Sequence, residues 1–418
     1  MLIDGFAGGG GASTGIAMAL GRDVDIAINH DPEAIRMHEA NFPETKHLTE
    51  DIFRVNLKEY TKGQPVDLAW FSPDCRSFSR AKGSAPRSKS VRMLPWSVYQ
   101  HAQSVRPSVI VMENVREIQD WGPLDENGQP IKELKGTEYK RFIESMQGLG
   151  YAFESRELVA ADFGAPTSRK RWYAIFRCDG RPIVWPERTH SKDGKGGLKK
   201  WLSCGDYIDF SDLGHSIFVR EKPLADSTMK RIAEGFRKYV VESEHPYFVS
   251  DRRALDYLRS IYGREAEGTK IVSFLTKFYK SDCGQSLDAP LHTITTSMGH
   301  FGLVSFLIKY YGQGCGQTLD EPLGTITCRD RFGLVNTVVE IDGARYRVCD
   351  AFLRMLKPHE YLVLQGFPGD YVIDHDIQGK TYPKKEQVAR IGNSVVPVMA
   401  QLIVGANCPY LRADARTA

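Results

Sequence analysis

A short apolar run, residues 2–7, empties into four consecutive glycines, Gly8 to Gly11, and a helical stretch from Ala12 to Leu20 follows at once. Glycines at such a turn let a ligand approach the backbone closely and offer it a helix N-terminus. Taken alone, the turn fits a nucleotide or nucleoside site and a plain flexible turn equally well. The alternation continues down the chain. Val24 to Ile28 reads as a strand, and a helix opens at Asp31-Pro32, where Pro suits the first helical position. Val66 to Phe71 is a strand, Pro95 to Val105 a helix stopped by Pro107, and Val109 to Met112 a strand. Ile143 to Leu149 closes another helix, and Arg171 to Phe176 is strand-like. Strands alternating with helices predict an α/β fold, a mostly parallel sheet with helices on both faces. Ligands of such sheets bind beyond the carboxyl ends of the strands, so the informative residues should lie there.

Composition narrows the class further. The chain has 418 residues, enough for two to three domains. Hydrophobic residues make up 42% and charged residues 26%, which argues against disorder, collagen and coiled coil. No apolar run of membrane-spanning length stands out, and the N-terminus lacks the basic and apolar regions of a signal peptide. The expectation is a cytoplasmic protein with reduced thiols and no membrane partner. The net charge of +3 hints only mildly at an anionic partner, so a nucleic-acid face would need local clustering. None of the eight cysteines forms a CxxC pair, and no metal site is expected.

The segments after the strands carry the candidate chemistry. Asn29-His30-Asp31 follows the second strand, where nucleotide folds often place a ribose-binding carboxylate. Asp51-Ile52 offers an edge and a face for a purine ring, or simply a helix cap. After Phe71 comes SPDCRSFS, with Cys75 in a loop. A lone cysteine is ordinarily an inert buried side chain. Cys75 sits at a strand end beside Arg76 and Arg80, and cations lower a thiol pKa. From Arg76 to Leu94 the chain also carries Lys82, Arg87, Lys89 and Arg92 with no acid. Such a run is usually a solvated loop, but beside a nucleophile it suits gripping phosphates and closing over a substrate. Glu113-Asn114-Val115 places a carboxylate at another strand end, fit for general acid–base work. Arg169 and Arg171 fall on one face by strand alternation.

The middle contains a duplication. FLTKFYKSDCGQSLDAPLHTITTSMGHFGLV at 274–304 is echoed by FLIKYYGQGCGQTLDEPLGTITCRDRFGLV at 306–335. Two copies are too few for a solenoid, and their glycines, threonines and aromatics suggest short strands in a smaller β-rich domain. Arg181 to Lys200 reads as a linker, and Lys222 to Val240 as a basic amphipathic helix. The expected domains are 1–185, 186–345, and a return segment, 346–418, whose helix packs on the first.

These pieces, in this order, resemble the DNA cytosine carbon-5 methyltransferase family of bacterial and phage type. DGFAGGGG resembles its S-adenosylmethionine motif, SPDCRSFS its Pro-Cys loop, and ENV at 113–115 its Glu-Asn-Val motif. TSRKR at 167–171 resembles Gln-x-Arg-x-Arg. RMLKPHEYLVLQGFP at 354–368 resembles the motif that orders the target-recognition region, and RIGNSVVPVMAQLIV at 390–404 the final Gly-Asn-Ser-Val-x-Pro motif. The resemblance implies a Rossmann-like S-adenosylmethionine-dependent methyltransferase domain plus a target-recognition domain. It implies that Phe6, Gly8, Gly10, Asn29, Asp51, Ile52, Asn393, Ser394 and Val395 hold the S-adenosylmethionine cofactor. Cys75 would attack carbon 6 of a flipped-out cytosine, Glu113 would bond ring nitrogen 3 and the amine, and Arg171, supported by Arg169, would hold the carbonyl oxygen. Double-stranded DNA is the implied partner, met by Arg76, Arg80, Lys82, Arg87 and Lys89 and by His300, Arg329 and Arg331 of the repeat loops. A monomer is expected, and a cognate restriction endonuclease is a candidate companion.

Three positions depart from the family pattern. Asp74 replaces the Pro before the cysteine, and a carboxylate there would raise the thiol pKa unless it points away. Asn29 stands where the ribose acid is expected, and Thr167 replaces the Gln. The competing readings are a tRNA cytosine-5 methyltransferase, a catalytically weak DNA-binding regulator, and a dehydrogenase. The last suffers because the turn is not a clean GxGxxG.

Overall fold

The computed structural model describes residues 1–78, 88–266, 268–278, 283–295, 301–310, 338–341 and 343–413. The chain divides into two compact units. The first comprises Met1–Leu202, Pro290–Met298 and Tyr361–Ala418; the second comprises Ser203–Ala289 and Gly299–Glu360.

Seven strands form the sheet of the first unit: β1 (Leu2–Asp4), β2 (Ile26–Ile28), β3 (Lys46–Leu48), β4 (Leu68–Phe71), β5 (Val109–Asn114), β6 (Ala152–Val159) and β7 (Lys170–Arg177). Their order is β3-β2-β1-β4-β5-β7-β6. The first five pair in parallel; β7 runs antiparallel to β5 and to β6. Strand order reverses between β1 and β4, which places the expected crevice beyond their carboxyl ends. Alternate residues feed two separate cores. Leu2, Leu68, Trp70, Val109 and Val111 face one, and Ile3, Ala69, Phe71, Ile110 and Met112 face the other. Both faces are covered, so these strands read as continuous apolar runs. The connecting helices are α1 (Gly11–Leu20), α2 (Pro32–Asn41), α3 (Leu57–Thr61), α4 (Lys89–Met93), α5 (Pro95–Val105) and α6 (Thr137–Gly148). The Asp31 side chain caps α2 by accepting from Glu33 N–H, and Pro32 opens it.

The expected elements are present, with shifted ends. β1 stops at Asp4, because Gly5 and Ala7 leave the strand to bond Trp70 and Ile28 carbonyls on either side. β5 runs two residues past Met112, so Glu113 and Asn114 are its last residues rather than loop residues. The expected linker is folded onto the first unit. It carries a small pair of strands, β8 (His190–Ser191) and β9 (Lys199–Lys200), and Thr189 N–H bonds Asp162 O while Arg188 reaches its carboxylate. The first unit therefore ends at Leu202 rather than at 185.

The second unit is built on β10 (His215–Ser216), α7 (Asp226–Phe236), α8 (Arg252–Tyr262), β11 (Thr269–Lys277), β12 (Gly284–Gln285), β13 (Phe301–Tyr310), β14 (Val338–Ile341) and β15 (Ala344–Met355). Its sheet runs β10-β15-β13-β11-β12, with β14 also on β15 and every pairing antiparallel. The expected basic helix starts later, at Asp226, and ends in a π turn, Arg237–Val241. β15 pairs with β13, which is why 346–360 belongs to this unit and not to the return segment. The duplication has a structural counterpart. Ser273 and Ser305, 32 residues apart like the repeat itself, face each other in the β11–β13 register and share a hydrogen bond of 2.8 Å. Phe274 and its equivalent Phe306 stack with centroids 6.3 Å apart. Equivalent residues thus meet around a local two-fold axis.

The return segment carries α9 (Pro358–Leu364), α10 (Lys384–Asn393) and α11 (Pro397–Asn407). α11 lies on α1 so closely that a Cβ on Gly15 would collide with the Pro397 carbonyl and Ala400. One expectation needs correction. Lys384–Asn407 is long and apolar enough by composition to span a membrane, although 61% of its most apolar window is buried in the protein and the helix breaks before Pro397.

Candidate active site

Cys75 lies in the loop after β4, and Asn114 Nδ2 ties that loop to the end of β5 by donating to Pro73 O at 2.9 Å. Glu113, one residue earlier and 7% exposed, therefore sits at the same end of the sheet. Across the β5–β7 pair comes Arg171, whose Nε stands 3.1 Å from Glu113 Oε1. The contact is an ion pair without hydrogen-bond alignment. Arg169, 4% exposed, donates to Gly392 O at 3.1 Å, which links the site to the end of α10. The structure thus brings Cys75, Glu113, Arg169 and Arg171 together.

The electrostatics differ from the sequence expectation. Burial pushes the Cys75 thiol above its ordinary value; Arg171 draws it back, Glu113 raises it, Arg169 lowers it and Asp74 raises it. The cations that matter are therefore Arg171 and Arg169, not the neighbouring Arg76. Arg76 is instead engaged by Asp74, to which it donates from its backbone N–H at 2.8 Å and from Nε at 2.7 Å. This exposed ion pair moderates the departure at Asp74. Burial, then Arg171, brings Arg169 down to about 10. Tyr173, beside Glu113, is a buried neighbour that the sequence reading missed; burial raises its hydroxyl. Its only sequence signal is its alternation with Arg169 and Arg171.

Of the residues expected to hold a cofactor, Phe6, Gly8 and Gly10 follow β1, Asn29 follows β2, Asp51 and Ile52 follow β3, and Asn393, Ser394 and Val395 lie at the junction of α10 and α11, where Ser394 and Val395 approach Gly9 and Gly11. Gly8 takes φ 49°, and only Phe6 O, at 3.6 Å, approaches the place of its missing Cβ, so the turn is an open cradle. Gly10 takes φ 80°, and a side chain there would collide with the Tyr371 hydroxyl. Phe6 is half-buried, edge-on to Phe71 with centroids 6.4 Å apart. Asn29 Oδ1 accepts from Asp31 N–H at 2.9 Å, and the Asp31 carboxylate is itself paired with Arg390. Neither residue offers an uncommitted carboxylate. Asp51 is exposed and caps Phe53 N–H, whereas Ile52 is buried. Ser394 donates to Arg390 O, Val395 is buried, and Asn393 is exposed. Lys89 is exposed at the first turn of α4. Arg80, Lys82, Arg87, His300, Arg329 and Arg331 lie outside the described residues. Among the described residues no group of three His, Cys, Asp or Glu is placed to hold a metal.

Beneath the glycine turn runs a buried polar chain that the sequence did not announce. Ser13 donates to Asp4 Oδ2 at 2.8 Å, His38 Nε2 meets Ser13 Oγ at 2.9 Å, and His38 Nδ1 meets His47 Nε2 at 2.8 Å. Burial raises Asp4 to about 6 against the pull of Ser13. Burial, with His47 adding to it, holds His38 well below the ordinary imidazole value.

Comparison with known proteins finds relatives of this chain. Type II methyltransferase M.AquIA of Picosynechococcus sp. is 31% identical over 201 residues, 45% of this chain and 76% of that protein. Type II methyltransferase M1.HphI of Haemophilus parahaemolyticus is 28% identical over 237 residues, 53% of this chain and 59% of that protein. Matches to these relatives thus leave part of each chain uncovered. A crystal structure of a DNA modification methyltransferase encoded within an E. coli prophage has the same fold, with a TM-score of 0.53 at 19% identity over 98% of this chain and 99% of that one. A family model described as C-5 cytosine-specific DNA methylase matches residues 1–407. The chain belongs to the C-5 cytosine-specific DNA methylase family.

Proposed function

We propose that this protein methylates carbon 5 of cytosine in double-stranded DNA, through a transient bond between Cys75 Sγ and carbon 6 of a base turned out of the helix. The observation that carries the reading is the buried group of Cys75, Glu113, Arg169 and Arg171 at the carboxyl ends of β4 and β5. Cytosine carbon 5 is a poor nucleophile. Thiolate addition at carbon 6 makes the ring enamine-like and places negative charge on the ring, towards nitrogen 3 and the carbonyl oxygen. Glu113 is the group for nitrogen 3 and the exocyclic amine. Arg171 offers a guanidinium fork to the carbonyl oxygen, and Arg169 holds its neighbourhood positive. The target must leave the base stack, at a cost of a few kcal/mol that pocket contacts offset.

The open Gly8 cradle, the N-terminus of the ten-residue α1 and the apolar faces of Phe6 and Ile52 fit S-adenosylmethionine. When bound, S-adenosylmethionine supplies an electrophilic methyl group on a sulfonium. Phe6 offers its ring to that cation. Asn29, in place of an acid, leaves the ribose hydroxyls to an amide. All four site residues come from one chain, so a monomer suffices. The relatives' Type II naming is the support for a cognate restriction endonuclease.

The covalent step is directly testable. Duplex DNA made with 5-fluorocytosine in place of cytosine cannot release its carbon-5 substituent as a proton. Incubated with enzyme and S-adenosylmethionine, it should form a denaturation-resistant complex whose tryptic peptide is joined to DNA at Cys75. Absence of that complex from wild type, or its persistence in Cys75→Ser, would contradict the mechanism.

A further inference from the structure

We propose that the Thr167 hydroxyl is a positioning group for the reaction, through which the segment 290–295 sets the backbone that presents Arg169 and Arg171. This rests on the proposed roles of Cys75 and the two arginines. Thr167 is fully buried and occupies the position where the family pattern has Gln. Its hydroxyl donates to Leu291 O at 3.0 Å and accepts from Arg169 N–H at 3.3 Å. A hydroxyl has one donor and two acceptor sites, so one atom serves both neighbours.

The surrounding backbone fixes the hydroxyl. Thr167 and Leu291 form a parallel bridge in which Leu291 N–H donates to Pro166 O at 2.9 Å and Ser168 N–H donates to Leu291 O at 2.8 Å. On the other side, Arg169 O accepts from Ala160 N–H at 3.0 Å. Arg169 is therefore held at its N–H by Thr167, at its carbonyl by Ala160 and at its guanidinium by Gly392. Two residues on, Arg171 meets Glu113. Among the described residues two side chains, Thr167 Oγ1 at 3.0 Å and Ser168 Oγ at 3.3 Å, connect this frame to Leu291 O in the first copy of the repeat, and of the two it is Thr167 that also takes the Arg169 N–H. That copy runs straight from β12 into Leu291. Residues Leu287 and Ala289 are bound by Gly205 and Cys204 N–H within the second unit, and the next few residues belong to the first. The strap is thus a continuous piece of chain that leaves the β-rich unit and ends on the turn before β7.

Thr167→Val keeps the volume and removes both hydroxyl bonds, while Ser168 still satisfies Leu291 O. Methyl transfer from tritiated S-adenosylmethionine to an unmethylated plasmid is measured for wild type, Thr167→Val, Thr167→Ser and Cys75→Ser, each normalised to folded protein by circular dichroism. Misplacing a reacting group by a fraction of an ångström to one ångström costs up to about a hundredfold, so Thr167→Val should lower kcat by roughly tenfold or more. KM for S-adenosylmethionine should stay within about twofold, and Thr167→Ser should return kcat to within about threefold of wild type. Unchanged kcat in Thr167→Val, a loss confined to KM, or failure of Thr167→Ser to rescue would each overturn the positioning role. If Cys75→Ser still transfers methyl groups, the reading of the site falls and the positioning role falls with it. An inert Cys75→Ser beside a fully active Thr167→Val removes the positioning role alone.

Discussion

In the proposed mechanism Cys75 is the nucleophile, and the free protein holds it in reserve. Burial keeps its thiol up in the free protein, and Arg171 and Arg169 oppose that only in part. Only the thiolate reacts, so alkylation of Cys75 by iodoacetamide should rise about tenfold per pH unit from pH 7 to 9. A plateau by pH 7 would show a thiol already ionised. Asp4 makes a second pH-dependent element. A carboxyl raised to about 6 stabilises the fold fully below its unfolded value of 3.8 and loses that contribution as pH rises through 6. Asp4→Asn removes this titration and leaves His38 in both proteins. Its stability relative to wild type should therefore be about 1 kcal/mol more favourable at pH 7.5 than at pH 5, read by urea denaturation at both. A difference independent of pH would mean Asp4 is not raised. The sequence shows Asp4 only as a strand-end acid. Its partners Ser13, His38 and His47 converge through α1, α2 and β3, and nothing local in the sequence marks that.

Among the elements, α1 and α11 form the joint that closes the first unit. Gly15→Leu would force a side chain against Pro397 and Ala400, at about 1–3 kcal/mol for overpacking. Gly405→Ala, on the same α11 with nothing nearer than Arg412 Nη2 at 4.0 Å, should be neutral or mildly stabilising. Thermal unfolding of both variants checks this; equal midpoints would deny the close packing. Pro95–Val105 is legible from sequence because Pro opens it and Pro107 follows it, so local chemistry sets its bounds. Strand ends are less legible. Val109 to Met112 is apolar on both faces, but Glu113 and Asn114 extend β5 because β7 pairs with them, a long-range cause. The run from Arg181 to Lys200 misleads for the same reason. Its glycines and lysines read as linker, yet it folds against Asp162, far away in sequence. Thr167 reads as a lost Gln, and its bond to Leu291 spans 124 residues.

On the scale of the molecule, the ordered motifs were the strongest signal: the glycine turn, the Cys75 loop, Glu113-Asn114-Val115 and the segment with Arg169 and Arg171 lie at the ends of β1, β4, β5 and β7 of one sheet, and the topology brings those ends together. The division into units was harder to read, because residues 290–295 join the first unit through the isolated bridge of Leu291 to Thr167, and β15 joins the second by pairing with β13, rather than through any shift in composition. The near-zero net charge, +3, means that binding to DNA must rest on local cation clusters. Plasmid binding should then weaken steeply with salt, log affinity falling linearly with log salt at a slope of about −0.9 per phosphate contacted. A salt-independent affinity would argue against phosphate contacts. The central claim is settled by one experiment. Purified protein is incubated with tritiated S-adenosylmethionine and unmethylated duplex DNA, beside Cys75→Ser and beside a tRNA substrate. Label recovered from DNA as 5-methylcytosine, and absent with Cys75→Ser, is the predicted result; label found only in tRNA, or DNA label undiminished in Cys75→Ser, would contradict it.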